Sequence, residues 1–245
     1  MDKIAIYTTL TGNYDVLQDP LVTDSRCDYF CFTNQPQKQG SIWQYQKIPF
    51  ESKNDALLSR YPKMHPHILF KDYAYSVYLD ANIQIVDPDF YQRIFEKIEK
   101  GILLSGIKHP FRDCPYDEGY IVFSYGLDSF VSIIHTLRFL KKENFPNHYG
   151  MFEANIIFRK HSATNIQVQC EEWWNLINRY SKRDQLTYSY TLWKNHIPFD
   201  YLIPQNESVR NYKGVQFTPH IRKMGFWRKK LKRIGKKIFK ILTNA

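Results

Sequence analysis

An apolar stretch at residues 75–86, YSVYLDANIQIV, is interrupted by Asp80 and, two positions on, by Asn82. Both residue types favour turns, where their side chains bond the local backbone. The same pair also offers a carboxylate and an amide oxygen at the carboxyl end of a predicted strand, where ligands collect in open α/β sheets. Two hard oxygen ligands would leave a divalent cation positions for phosphate oxygens, as Mg²⁺ and Mn²⁺ prefer. Any phosphate chemistry has to rest on a cation and basic side chains, because neither G-x-G-x-x-G nor G-x-x-x-x-G-K-[ST] occurs. Arg60 and Lys63, in SRYPKM, lie one predicted helical turn apart and would neutralise such phosphates, Arg being suited to bidentate contacts.

The elements that must position these residues read as α/β. KIAIYTTL (3–10), DYFCFTN (28–34) and SIWQYQKI (41–48) read as strands, and a helix is predicted over 52–61, closed by Pro62. Strands at 75–79 and 83–86 flank the Asp-Ala-Asn triplet. Asp87 as N-cap, Pro88 at the first helical position, then Phe90, Ile94, Phe95 and Ile98 at helical spacing, with Gly101 as the stop, define the clearest helix. A short strand at 102–107 precedes a polar loop, KHPFRDCPYDEG. Helices are predicted at 127–142, 170–181 and 185–193, with a strand at 153–160 and an extended segment IPFDYLIP at the end. Alternation of strands and helices implies one mixed, Rossmann-type sheet covered on both faces.

The chain has 245 residues, 43% hydrophobic and 24% charged, ordinary for a globular protein. No run of eighteen apolar residues and no apolar leader is present, so the expectation is a cytoplasmic protein with an unglycosylated Asn206-Glu207-Ser208 and reduced cysteines. Cys27 and Cys31 lack the second close pair or the nearby histidine that a tetrahedral zinc site needs. The net charge of +10 comes from the end of the chain: ten of the 34 basic residues follow Ile221, with no acid, and the first 221 residues are balanced at 24 against 24. Residues 1–221 are therefore expected to form one domain and 222–245 a separate tail. In that tail Trp227, Leu231, Ile234, Ile238 and Ile241 recur at helical spacing among the basic residues, the pattern of a basic amphipathic helix on an anionic membrane surface. A nucleic-acid-binding arm is the alternative reading of the same charge.

Six blocks, TTLTGNYD, SRYPKMHPHILF, YSVYLDANIQI, KHPFRDCPYDE, GMFEANIIFRKH and WWNLINRYSKRDQLTY, occur in order across roughly residues 4–200. Together they resemble the glycosyltransferase-like family, once described only as a domain of unknown function, that includes plant proteins named for turgor regulation and mucilage. The layout is also similar to retaining glycosyltransferases with a Y-L-D-x-D strand end, an N-x-G strand and a D-Q helix start. Both resemblances imply a GT-A fold, a nucleotide-sugar donor and a DxD-type metal motif. Taken with the amphipathic tail, they lead to the expectation of a UDP-sugar donor, a Mn²⁺ or Mg²⁺ ion and a glycan or lipid-linked acceptor in surface-polysaccharide synthesis. By that resemblance Thr8, Thr9 and Tyr14 line the nucleoside pocket, His220 joins Asp80 and Asn82 at the metal, and Asp184 and Gln185 lie near the transferred sugar. His109, Arg112, Asp113 and Glu118, in a loop dense in groups that bind hydroxyls, are expected to hold the acceptor. Two departures stand out: Asn82 replaces the second acid of DxD, and Glu153-Ala154-Asn155 stands at the N-x-G position. Glu153 supplies a carboxylate able to serve as a base, so inversion stays open beside retention. A sugar nucleotidyltransferase is the competing enzyme reading.

Overall fold

The computed structural model describes residues 3–12 and 15–219. The chain opens with β1 (Ile4–Leu10), β2 (Cys27–Thr33) and β3 (Gln44–Lys47), then α1 (Asp55–Met64), the single turn α2 (Pro66–Leu69), β4 (Ser76–Asp80) and β5 (Ile83–Ile85). It continues through α3 (Asp89–Glu99), β6 (Leu104–Lys108), α4 (Pro115–Ser124), α5 (Phe130–Lys142), β7 (Phe152–Arg159), α6 (Thr164–Arg179), α7 (Gln185–Lys194) and β8 (Val215–Phe217).

Six strands form a mixed sheet in the order β3-β2-β1-β4-β7-β6. β3, β2, β1 and β4 are mutually parallel, and β7 runs antiparallel to both of its neighbours. β1 is buried at every position, as a central strand covered on both faces must be. Alternate residues feed opposite cores: Ile4, Ile6, Val77 and Leu79 pack towards Phe90 and Ile94 of α3, while Ala5, Tyr7 and Tyr78 pack towards Trp173, Ile177 and Leu192 of α6 and α7. From β1 the chain moves outward to β2 and β3, then returns to place β4 on the other side of β1. The order thus reverses between β1 and β4, and a crevice opens outside their carboxyl ends. Register brings Thr9 of β1 beside Asp80 of β4 at that mouth.

The sequence did not announce α2 or β8, and β5 leaves the expected single sheet to pair antiparallel with β8 in a small one of its own. Three further elements differ from the sequence expectation. α1 runs through Pro62, where the helix was expected to close. A helix-interior proline costs about 3 kcal/mol, and tertiary contacts offset it. The Arg159 guanidinium, fully buried, donates to the Lys63 carbonyl at 2.7 Å, satisfying one of the orphan carbonyls at the helix end with a cation. The polar segment 108–119 is only half a loop, because α4 begins at Pro115 as its first helical residue. Gly119, which argues against a helix locally, lets α4 approach α5: a β-carbon there would stand 2.8 Å from Leu137 Cδ1. α6 begins at Thr164, a turn and a half before the expected start at Cys170. The clearest helix holds, with Asp87 Oδ1 accepting from the Asp89 amide and Gly101 at φ +66° closing α3. All four cysteines are free and buried.

Candidate functional site

The crevice between β1 and β4 widens into a cleft of about 860 Å³. Its walls come from the end of β1 (Thr9), from α1 (Arg60, Lys63), from the end of β4 and the turn after it (Tyr78, Asp80, Asn82), from β7 (Glu153, Asn155), from the turn before α7 (Lys182, Arg183, Asp184, Gln185), and from Arg210 and Phe217 near β8. Eight of the residues singled out from sequence for donor binding, metal binding or catalysis, namely Thr9, Arg60, Lys63, Asp80, Asn82, Glu153, Asp184 and Gln185, therefore meet in one place. Thr8 does not line the cleft, because neighbouring strand residues face opposite sides of the sheet. Tyr14 and His220 lie outside the described residues.

Asp184 is the electrostatic centre. It is the N-cap of α7, where its carboxylate accepts from the Gln185 amide. Its Oδ2 lies 2.5 Å from Lys63 Nζ and its Oδ1 lies 3.5 Å from an Arg60 terminal nitrogen. Burial alone would raise its carboxyl, but the charges of Lys63, Arg60 and Arg183 outweigh burial and hold it well below the usual carboxylate range. Asp184 is thus a fixed anion. Arg60 and Lys63, expected as free phosphate ligands, are largely neutralised from within, Lys63 also lying 3.8 Å from Asp80 Oδ1.

Asp80 is only partly buried, at 34% side-chain exposure, and faces the cleft. The Tyr78 hydroxyl donates to its Oδ1 at 2.9 Å; burial and then the Asp80 charge push the Tyr78 phenol well above its ordinary range, keeping it a donor. Asn82 is held differently. Its Nδ2 donates to the Thr218 carbonyl at 2.8 Å, and the Thr218 amide returns a bond of 2.9 Å to the Asn82 carbonyl. This fixes the amide with Oδ1 as the free end, and Oδ1 is buried without a partner among the described residues. A carboxylate and an orphaned amide oxygen at one cleft fit a hard divalent cation that takes further oxygens from phosphate and water.

Sequence reasoning did not single out Lys182, Arg183 and Arg210. Arg183 lines the cleft, makes no ion pair or side-chain hydrogen bond among the described residues, and has its Nε buried without a partner. Among the described residues the Lys182 ammonium donates to the carbonyls of Asn178 and Tyr180 alone, at 3.4 and 3.5 Å. Arg210 lies over the Phe217 ring and pairs with Glu153 Oε1 at 2.7 Å, while Asn155 Nδ2 donates to Glu153 Oε2 at 3.1 Å. The available signal for Lys182 and Arg183 was their place directly before Asp184-Gln185. Arg210 carried none.

The four residues expected to hold the acceptor do not line the cleft. Arg112 pairs with Glu118, Asp113 pairs with His148 at 2.8 Å, and His109 Nδ1 accepts from the amides of Phe111 and Arg112. Burial, reinforced by Arg112 and Arg210, pushes His109 down to about 4, so it stays neutral. At the start of α4 Arg112, Glu118 and His109 bond one another, and Asp113 reaches the more distant His148, both of these last side chains remaining exposed.

A family model described as "TOD1/MUCI70, glycosyltransferase-like domain" matches residues 32–213. No curated protein matches the chain. Similar solved structures include the apo form of mouse xyloside xylosyltransferase 1, at 9% identity and TM-score 0.45 over 82% of this chain and 84% of that one. Another is the apo WbbM bifunctional glycosyltransferase, at 12% identity and TM-score 0.45, where the match covers 96% of this chain but 44% of the longer one. The family match takes in every cleft residue from Asp55 to Arg210. The chain belongs to the TOD1/MUCI70 family of glycosyltransferase-like domains.

Proposed function

We propose that this chain is a GT-A-type glycosyltransferase that moves a sugar from a nucleotide-sugar donor to a glycan acceptor, with the diphosphate held in the cleft at the ends of β1 and β4. One observation carries the reading: Asp80 and Asn82, whose Oδ1 has no partner among the described residues, share a cleft with Arg183, which makes no ion pair within the described residues. Ligands for a divalent cation and a cation for an anion converge there, in a volume suited to a molecule of nucleotide-sugar size. The family resemblance alone supports uridine as the base, Mn²⁺ or Mg²⁺ as the ion and surface polysaccharide as the product.

A divalent ion, when bound, would neutralise charge on the diphosphate leaving group. The chain's own residues do the rest. Tyr78 orients Asp80 through its hydroxyl, and Thr218 orients Asn82. Asp184 holds Lys63 and Arg60 at the wall of the cleft, where they add positive potential without binding phosphate as free cations. Arg183 meets the charge that develops as the sugar–phosphate bond breaks. Asp184 is too strongly stabilised as an anion to take a proton, which leaves Glu153, steadied by Arg210 and Asn155, as the carboxylate that faces the reacting groups.

The test is a panel of nucleotide sugars incubated with the purified protein and Mn²⁺, with and without EDTA. Release of nucleoside diphosphate from at least one donor, lost with EDTA, is expected. No binding or turnover of any donor sinks the proposal, and release of pyrophosphate from a nucleoside triphosphate and a sugar 1-phosphate, in place of nucleoside diphosphate from a nucleotide sugar, would mark nucleotidyl transfer instead.

No helix of the described residues is long and apolar enough to cross a membrane. The tail at 222–245 lies outside them, and its sequence of basic residues around an apolar stripe supports attachment to an anionic membrane at the cytoplasmic face, within reach of a lipid-linked acceptor. Removing residues 226–245 is expected to abolish sedimentation with vesicles containing anionic lipid while donor hydrolysis persists. Unchanged sedimentation would contradict the attachment.

A further inference from the structure

Away from the cleft, Cys114, Asp117 and His148 bring one ligand atom each to within 4.8 Å of the other two. We propose that these three side chains form a zinc site that ties the start of α4 to the connection between α5 and β7. The proposal stands independently of the sugar-transfer reading.

The donor set selects the metal class. A thiolate, an imidazole and a carboxylate suit Zn²⁺, whereas Mg²⁺ and Ca²⁺ take oxygens alone. The geometry follows from local structure. Cys114 is the N-cap of α4 and Asp117 lies in its first turn, three residues on, so helical spacing sets them on the same face. His148 comes from a segment 34 positions further along, which is why the cysteine spacing in the sequence gave no hint of a site.

The histidine is also prepared for a metal. Its Nδ1 lies 2.8 Å from Asp113 Oδ1, which leaves Nε2 as the ring nitrogen without that bond. A carboxylate on the far nitrogen of a ligating histidine fixes the ring and raises its basicity, the usual support for zinc. The two segments are already clamped beside it, the Gly150 amide donating to the Asp113 carbonyl at 2.9 Å. Cys114 is buried and free, while Asp117 and His148 are exposed, so an ion can enter from solvent and keep water in its fourth position. The same segment leads into Met151 and β7, which carries Glu153, and the ion would therefore steady one wall of the cleft from behind.

Cobalt(II) provides the test, because a thiolate bound to it produces a charge-transfer absorption that oxygen and nitrogen ligands do not. Titrating the reduced, metal-free full chain with Co²⁺ is expected to raise that band to saturation at one equivalent, and Zn²⁺ is expected to displace it. Cys114→Ser and His148→Gln are expected to lose the band, and Asp113→Asn to weaken Zn²⁺ binding about 10–100-fold. Asp80→Asn, in the cleft, is expected to keep it. His148→Gln changes an exposed loop residue, so its circular dichroism should match the parent even if Cys114→Ser folds poorly. Absence of the band from the parent chain, its survival in His148→Gln, or its loss in Asp80→Asn would overturn the proposal.

Discussion

Asp80→Ala is expected to lower sugar transfer by roughly 10²–10³-fold while the protein remains folded. The side chain is about one-third exposed at a strand end, and its loss costs the fold one hydrogen bond from Tyr78 and the more distant of two ion pairs to Lys63. Lys63 keeps Asp184 at 2.5 Å. The functional cost is expected to be much larger, since in the proposed function Asp80 is the charged member of the oxygen pair that would face the donor's phosphates. Asp80→Asn separates charge from shape: it should lose nearly as much activity, and nucleotide binding in its presence should no longer respond to added Mn²⁺. A rate within threefold of the parent for either variant would remove Asp80 from the mechanism. Far-ultraviolet circular dichroism and the urea midpoint check that the fold is intact.

Asp184→Asn is expected to act on both stability and rate. It leaves Lys63, only 4% exposed, with its close carboxylate removed, and breaking a buried pair from one side costs about 3–5 kcal/mol. The pH dependence has a definite sign. The Asp184 carboxyl is held below its ordinary range in the folded protein, so the stability it contributes is fully present above the unfolded value near 4 and is lost as pH falls through the lower folded value. Urea denaturation should therefore give a constant gap between parent and variant from about pH 5 to pH 8, narrowing at pH 3. A gap that widens on acidification would mean that Asp184 is not the anion described. The rate at pH 7 should fall with stability restored by osmolyte, because Arg60 and Lys63 lose the group that holds them at the cleft wall.

The sheet could be read from sequence because its strands are short apolar runs bounded by turn residues, and α3 because its cap, spacing and stop agree. α4 could not: Pro115 and Gly119 read as loop residues, and only the approach of Leu137 explains why a glycine sits inside a helix. In the site, residue types and family blocks pointed to Asp80, Asn82, Glu153 and Asp184, which converge from separate elements. What they do to one another was hidden. Lys63 and Asp184 are 121 positions apart, and nothing local tells that the lysine expected to bind phosphate is already paired. Asn82 looked like a departure from an acidic pattern. Its Nδ2 donates to the Thr218 carbonyl, a bond that aspartate, an acceptor only when ionised, could not make. The amide is thus suited to a position at the cleft that must hold the chain near β8 and still keep an oxygen without a partner among the described residues. Arg183 is the converse case: it lay in plain view before Asp184, but only the folded arrangement reveals that it lines the cleft without a close ion pair among the described residues, its Nε unbonded.

Whether Asp80, Asn82 and Arg183 together hold a metal-bound diphosphate is tested most directly by a crystal soaked with UDP and Mn²⁺. An anomalous manganese peak is expected within coordination distance of the Asp80 carboxylate and Asn82 Oδ1, with diphosphate oxygens between the ion and the Arg183 guanidinium. Nucleotide bound elsewhere, or a diphosphate in the cleft that contacts neither Asp80 nor Arg183, would contradict it.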